Sequence, residues 1–219
     1  MKPNPGASDV TGLIPVGGKS SRFGSNKALH RMNGVTLVER VHAALSAVLQ
    51  DVRLGLAMPG DVPPLPGVPC VYDDPAGSGA SASLRAAFRA TDASWILIAA
   101  CDMPGLTPVA VTQLLEARRE DLDVVVALGE DGAMHPLFAC YRRTCLGALD
   151  QHAAGESRSM RRLVDSLRKA EVRFENRVVW NVNRLEDLAD PGTDPPGPPE
   201  SSTPGRDSSD QEIRDRLSA

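Results

Sequence analysis

Val10-Thr11-Gly12-Leu13-Ile14-Pro15-Val16-Gly17-Gly18-Lys19-Ser20-Ser21-Arg22-Phe23-Gly24-Ser25-Asn26-Lys27 decides the fold class. Its first half is a compact apolar run and its second half is a loop with paired glycines and basic side chains. A run of this kind, with little alternation of polar and apolar residues, is expected of a strand covered on both faces. Glycines directly after a strand let backbone N–H groups approach an anion closely, and Arg22 and Lys27 add positive charge. The layout suits a triphosphate. It matches neither G-x-x-x-x-G-K-[ST] nor G-x-G-x-x-G, so the P-loop and the dinucleotide fingerprint both lose weight. A Gly-Gly turn alone would be read as a bend with a solvated basic rim; the conjunction with Arg22 and Lys27 favours a phosphate site.

Outward from this stretch, short apolar runs alternate with helical spacing as far as about residue 190, which is the pattern of an α/β fold. Val10–Val16, Val52–Met58, Val68–Tyr72, Trp95–Ala100 and Leu122–Leu128 read as strands, and Thr36–Leu49, Ser81–Ala90 and Pro108–Arg119 as helices. Thr107 before Pro108 is a cap followed by a first-turn proline. Further along, Leu137–Tyr141 reads as a strand, Leu146–His152 and Ser159–Arg168 as helices, and Val178–Val182 as a late strand. Residues 1–9 are expected to be a flexible start, 10–190 a single domain, and 191–219 a disordered tail, because DPPGPPESSTPGRDSSDQ is too polar and Pro-rich to bury a core.

Composition narrows the function classes. The chain has 219 residues, 42% of them hydrophobic, enough for one sizeable core. A formal net charge of -4 gives no global basic footprint, which disfavours a nucleic-acid partner but not a small anionic ligand. No run approaches a membrane span and the start carries Pro3, Pro5 and Gly6 instead of an apolar leader, so a cytoplasmic location is expected. Cys70, Cys101, Cys140 and Cys145 lack C-x-x-C spacing and read as buried thiols.

A second constellation lies at Trp95-Ile96-Leu97-Ile98-Ala99-Ala100-Cys101-Asp102-Met103-Pro104. A carboxylate just past the carboxyl end of an apolar strand opens onto the crevice where open α/β sheets bind ligands. Mg²⁺ takes hard oxygen ligands, commonly one or two carboxylates plus substrate phosphates, so Asp102 is a candidate metal ligand. Capping of the turn before Pro104 is the alternative role for the same residue. Between the two motifs, Tyr72-Asp73-Asp74-Pro75-Ala76-Gly77-Ser78-Gly79-Ala80-Ser81-Ala82-Ser83-Leu84 forms a glycine- and serine-rich loop.

These stretches resemble the molybdenum-cofactor guanylyltransferases, the MobA-like NTP transferases. Gly17, Gly18, Ser20, Arg22, Gly24 and Lys27 match the opening motif L-x-G-G-x-S-x-R-x-G-x-x-K. Cys101-Asp102-Met103-Pro104 matches C-D-M-P. His135-Pro136-Leu137-Phe138-Ala139-Cys140-Tyr141-Arg142-Arg143 matches H-P-L-F-A-x-Y-x-R, Gly155–Leu163 is similar to G-x-R-S-x-x-x-L, and Asn181-Val182-Asn183-Arg184-Leu185-Glu186-Asp187-Leu188 matches N-x-N-x-x-E-D-L. Together they cover roughly residues 10 to 190. Departures occur at Pro15 and Val16, where the family has Leu-Ala, and at Asn26, where it has Asp. Proline also removes one backbone donor from the loop.

The resemblance implies a Rossmann-like three-layer α/β/α nucleotidyltransferase domain with a mostly parallel sheet. It implies transfer of GMP from GTP to the terminal phosphate of molybdopterin, with Mg²⁺ held by Asp102. Pro15, Val16, Gly17, Gly18, Lys27, Asp73 and Asp102 would bind the nucleotide, with Asp74 the neighbouring option for Asp73, and Lys27, Arg22 and Asp102 would carry the catalysis. His135 and Asn183 are candidate pterin or phosphate contacts, a positioning role being favoured for His135 and a turn-backbone role being the alternative for Asn183. Cofactor carriers or apo-molybdoenzymes would take the product. Gly79-Ala80-Ser81-Ala82-Ser83-Leu84 is closer to the G-M-x-x-S-L of related cytidylyltransferases than to G-P-L-A-G, which keeps CTP open beside GTP. Sugar- or polyol-phosphate nucleotidyl transfer, and a nucleotide-binding regulatory module without chemistry, are the other readings.

Overall fold

The computed structural model describes residues 9–16, 27–58, 65, 67–74, 78–155 and 159–182. Nine strands and six α-helices are assigned among them: β1 (Val10–Pro15), β2 (Arg31–Met32), β3 (Val35–Thr36), α1 (Leu37–Ser46), β4 (Asp51–Leu56), β5 (Cys70–Tyr72), α2 (Ala80–Ala90), β6 (Trp95–Ala99), α3 (Pro108–Glu116), β7 (Val124–Leu128), β8 (Met134–Arg142), α4 (Leu146–Ala154), α5 (Met160–Asp165), β9 (Lys169–Arg173) and α6 (Asn176–Val179). Seven strands form one sheet in the order β5-β4-β1-β6-β8-β7-β9. β8 runs antiparallel to β6 and β7, while β1, β4, β5 and β6 pair parallel, as do β7 and β9.

The expected layering is present. Alternate residues of the central strands feed opposite faces, as the two-residue period of a strand requires. Ile14, Leu97, Ala99, Val125 and Ala127 pack with Val38, Val41 and Leu45 of α1 and Val111, Leu114 and Leu115 of α3. Leu13, Ile96, Ile98, Val124 and Val126 pack with Leu84 and Phe88 of α2, Leu149 of α4 and Leu163 and Val164 of α5. Parallel strands buried on both faces therefore explain why their sequences read as unbroken apolar runs.

The helix starts follow the sequence. Thr36 and Glu39 make a complete capping box at α1, with the Thr36 side chain accepting from the Glu39 N–H and the Glu39 carboxylate accepting from the Thr36 N–H. Thr107 caps α3 by accepting from the Ala110 N–H, and Pro108 occupies the first helical position, where its missing donor costs nothing.

Two expectations are corrected at the far end of the domain. Val178–Val182 is not a strand: Asn176–Val179 forms the short helix α6, and residues 180–182 are irregular. A short apolar run does not separate strand from helix by periodicity, and here Val179 and Val182 are buried without a ladder. Among the described residues the last strand is instead β9, Lys169-Ala170-Glu171-Val172-Arg173, paired parallel to β7. Its charged, half-exposed alternation is that of a protected sheet edge. Asp123 fastens its start, accepting two hydrogen bonds of 2.8 Å from the Arg168 guanidinium and one of 2.8 Å from the Thr144 hydroxyl.

β8 carries a bulge with a clear cause. Val126 pairs with Ala139 but the next residue, Ala127, pairs with His135, so Pro136, Leu137 and Phe138 are extra on the β8 side. Pro136 has no N–H to give to a ladder, which suits it to such an interruption. The fully buried Tyr141 pins the bulge, its hydroxyl donating to the Pro136 carbonyl at 2.9 Å. The Leu137 carbonyl in turn accepts from the Ala100 N–H at 2.8 Å, tying the bulge to the segment that leads to Asp102.

Candidate active site

β1 and β6 are hydrogen-bonded neighbours in register, Leu13 facing Ile98. Their carboxyl ends therefore release Val16 and Asp102 at the same edge of the sheet. Val16 is buried and its N–H donates to the Gly55 carbonyl at 2.8 Å. Lys27 returns the chain at a short 3₁₀ turn, Lys27–Leu29, held by Ala28, which is packed in the core. From there the Lys27 ammonium donates to Asp102 Oδ2 at 2.6 Å, with side chains only 15% and 22% exposed. An ion pair so far withdrawn from water is screened less than a surface pair.

Asp102 has a second feature. Its Oδ1 is buried and accepts no hydrogen bond among the described residues, and the same holds for Asn181 Oδ1. The Asn181-bearing segment is drawn to this corner by the Val182 N–H, which donates to the Asp102 carbonyl at 2.9 Å. A buried oxygen without a partner costs free energy unless something occupies it, and among the described residues nothing does so here. A carboxylate oxygen and an amide oxygen are hard donors of the type that Mg²⁺ or Mn²⁺ prefers. The neighbouring thiol offers no such donor: burial, reinforced by the Asp102 charge, pushes Cys101 up to about 12.

The Asp102 turn is packed tightly against α6. A Cβ on Gly105 would collide with the backbone carbonyl of Arg177. On the outer side of this contact a cleft of about 580 Å³ opens, with Thr107, Gln113, Arg173 and Arg177 among its walls. Neither Lys27 nor Asp102 lines it.

Two strands from β1, Asp73 follows the end of β5 at the same edge. It is 8% exposed, and its carboxylate is turned inward on the start of α2. Oδ2 accepts from the Gly79 N–H at 3.0 Å and Oδ1 from the Ser83 hydroxyl at 2.5 Å. Gly79, at φ 84°, is the N-cap of α2 and has no side chain of its own to supply the acceptor. Asp73 accepts from the N–H of that N-cap residue, placing a negative charge at the positive end of the helix dipole.

His135 belongs to a further cluster at the end of β7. A Cβ on Gly129 would lie 2.6 Å from Asp131 Oδ1, 3.0 Å from Asn176 Oδ1 and 3.5 Å from His135 Nε2. Burial holds the imidazole below its ordinary range, Asp131 pulling it back up and Arg161 adding to the depression. At neutral pH the ring is therefore uncharged.

Of the residues singled out in the sequence, Pro15, Val16, Lys27, Asp73, Asp102 and His135 lie at the carboxyl edge of the sheet, and Lys27 and Asp102 are in direct contact. Gly17, Gly18, Arg22 and Asn183 lie outside the described residues. Sequence reasoning passed over Ser83 and the buried Asn181 oxygen. The serine at the fifth position from Gly79 was visible only as a motif letter, since nothing local reveals that a carboxylate ten residues earlier will accept from it.

An open, mostly parallel α/β sheet with Lys27 and Asp102 paired at the carboxyl edge of β1 and β6 defines an α/β protein whose crevice lies where such sheets receive ligands. Residues 12–172 match the MobA-like NTP transferase domain, and the chain belongs to that family and is a nucleotidyltransferase. A probable molybdenum cofactor guanylyltransferase of Deinococcus radiodurans is 34% identical over 182 residues, covering 83% of this chain and 93% of that one. The molybdenum cofactor guanylyltransferase of Desulfosudis oleivorans is 29% identical over 191 residues, covering 82% and 92%. Among solved structures, a Mycobacterium sp. strain JC1 homologue of a Mycobacterium tuberculosis protein superposes with a TM-score of 0.68 at 25% identity, covering 82% of this chain and 92% of that one. A Mycobacterium tuberculosis protein solved in complex with manganese superposes at 0.59 with 21% identity, covering 76% and 88%.

Proposed function

We propose that this chain transfers GMP from GTP to the terminal phosphate of molybdopterin, with release of pyrophosphate. The observation that carries the reading is the 2.6 Å contact of Lys27 with Asp102 at the carboxyl ends of β1 and β6, beside a buried Asp102 oxygen that lacks a partner among the described residues. The names of the relatives support GTP and molybdopterin as the substrates. Asp102 Oδ1, with Asn181 Oδ1 at the same corner, would hold a divalent cation, Mg²⁺ in the cell. When bound, that ion neutralises phosphate charge and orients the triphosphate.

The rest is the work of the chain. A phosphate oxygen of the pterin attacks the α-phosphorus of GTP; the new P–O bond forms as the bond to the β-phosphate bridge breaks, and pyrophosphate carries away the electron pair. A phosphate monoester is largely ionised at pH 7, so no side chain has to remove its proton. Catalysis is then positioning and electrostatics. Lys27 exchanges its carboxylate for phosphate oxygens, and Arg22 with the Gly17–Gly18 amides stabilises the charge that gathers on the α-phosphate and the leaving group. Asp73 shapes the lip that receives the far end of the nucleotide. His135, neutral and partly buried, positions rather than titrates, and Asn183 contacts the pterin or its phosphate. The product then passes to a carrier or an apo-molybdoenzyme.

The test is pyrophosphate release by the purified chain with Mg²⁺, molybdopterin and GTP, CTP or ATP in turn. Release with GTP alone is the expected result. Release with CTP instead would follow the cytidylyltransferase-like Gly79–Leu84 segment, and release that requires a sugar or polyol phosphate would move the acceptor. Nucleotide binding without pyrophosphate from any acceptor would leave a regulatory module.

A further inference from the structure

We infer that Ser83 is a positioning residue for nucleotide binding, acting through Asp73 on the turn that opens α2. The inference rests on the nucleotidyl-transfer reading above for the ligand and on geometry for the residue.

Ser83 is 3% exposed and Asp73 8%, and the 2.5 Å hydroxyl–carboxylate contact between them is a charge-assisted bond out of water. The other carboxylate oxygen accepts from the Gly79 N–H at 3.0 Å, so Asp73 holds both the N-cap of α2 and a residue of its first turn. Gly79 is held at φ 84° and ψ -165°, a conformation that side-chain-bearing residues avoid, and its carbonyl accepts from the N–H groups of Ala82 and Ser83 at 2.9 and 3.1 Å. The hydroxyl of Ser83 thus fixes the carboxylate, the carboxylate fixes the glycine, and the glycine fixes the first turn of the helix.

The room for this arrangement is built into the neighbouring strand. Gly55, paired with Pro15 on β1 and Val71 on β5, faces Ser83, and a Cβ there would stand 2.9 Å from both Ser83 Cβ and Ser83 Oγ. Any larger residue at position 55 would drive the hydroxyl off Asp73. β6, β1, β4 and β5 are consecutive in the sheet, so Asp102 and Asp73 are three strand spacings apart, roughly 14 Å along the edge. That is the separation expected between metal-held phosphates at one end of an extended nucleoside triphosphate and its base at the other. A carboxylate and a helix start fixed before the ligand arrives spare part of the ordering cost of binding.

Ser83→Ala removes one hydroxyl and leaves the reacting groups untouched. Affinity for Mg·GTP, measured by calorimetry without acceptor, is expected to fall roughly tenfold, the scale of a lost charge-assisted hydrogen bond. At saturating nucleotide, kcat should stay within about twofold of wild type, because bound nucleotide still meets Lys27 and Asp102. Gly55→Ala should produce the same affinity loss. Asp73→Asn combined with Ser83→Ala should cost no more than Asp73→Asn alone, since both changes break one chain of contacts. An unchanged affinity in Ser83→Ala while the wild type binds, additivity in the double variant, or a loss confined to kcat would each overturn the inference. If wild-type protein binds no nucleoside triphosphate at all, the reading of the function fails and takes this inference with it.

Discussion

Lys27 and Asp102 Oδ2 are in direct contact, and this shapes what their removal should do. A charged contact aimed at the transferring phosphates is worth about 10²–10³ in rate by analogy with oxyanion donors. Lys27→Ala and Asp102→Asn should each lower kcat/KM for pyrophosphate release on that scale, and wild-type kinetics in either would remove that residue from the mechanism. His135 allows a different test. Its folded-state value lies below the ordinary 6.5, so the unfolded chain takes up the proton first as the pH drops. The stability associated with a neutral His135 is therefore fully present above pH 6.5 and is lost as the pH falls below that value toward the folded-state one. Urea melts of wild type and His135→Gln at pH 7.5 and 5.5 should show the wild type losing more stability between the two, and parallel losses would contradict the assigned burial. Val16 and Asp102 could be placed from the sequence because each follows closely on an apolar strand. Ser83 could not, because its significance comes from a contact ten residues away.

The elements repeat this division between local and non-local information. α3 was legible to its cap, Thr107, and α1 to within a residue of its start, Thr36 proving to be its cap, because a helix start is decided by a few adjacent residues. β9 was not, since Lys169–Arg173 contains only Ala170 and Val172 as apolar positions and owes its pairing to β7 and the Asp123–Arg168 clasp. Likewise the Pro136–Phe138 bulge was not foreseen where only Leu137–Tyr141 read as a strand, because what pins it is the non-local contact of the Tyr141 hydroxyl with the Pro136 carbonyl. Tyr141→Phe keeps the buried ring and leaves that carbonyl without its donor, at a cost of about 1–3 kcal/mol. Chemical denaturation should report that loss, and because Leu137 also holds Ala100, the variant should show an altered metal requirement for activity as well. A stability equal to wild type would mean that water or a shifted backbone replaces the bond.

At the scale of the molecule, the parallel half of the sheet places four strand ends, those of β5, β4, β1 and β6, along one edge, and the loops they release carry opposite charges: Asp73 and Asp102 against Lys27. On the proposed reading, a chain of net charge -4 would hold a polyanion through local cations and a metal at this edge and not through its global charge balance. It also ties binding to folding. A ligand that bridges the ends of β6 and β5 can be held only when the sheet is intact, so it stabilises the native state by RT ln(1 + [L]/Kd), about 2.7 kcal/mol at a hundredfold excess over Kd. Mg²⁺ with GTP should therefore raise the melting temperature by a few degrees. GTP with a chelator should raise it much less, because Asp102 and the triphosphate would then repel each other. Asp102→Asn separates the two contributions: the metal-dependent part of the increase should vanish, while any part due to Lys27 and the loop should persist. An equal increase with and without metal in the wild type would show that the nucleotide does not reach Asp102, and the metal corner would have to be assigned to something other than the triphosphate.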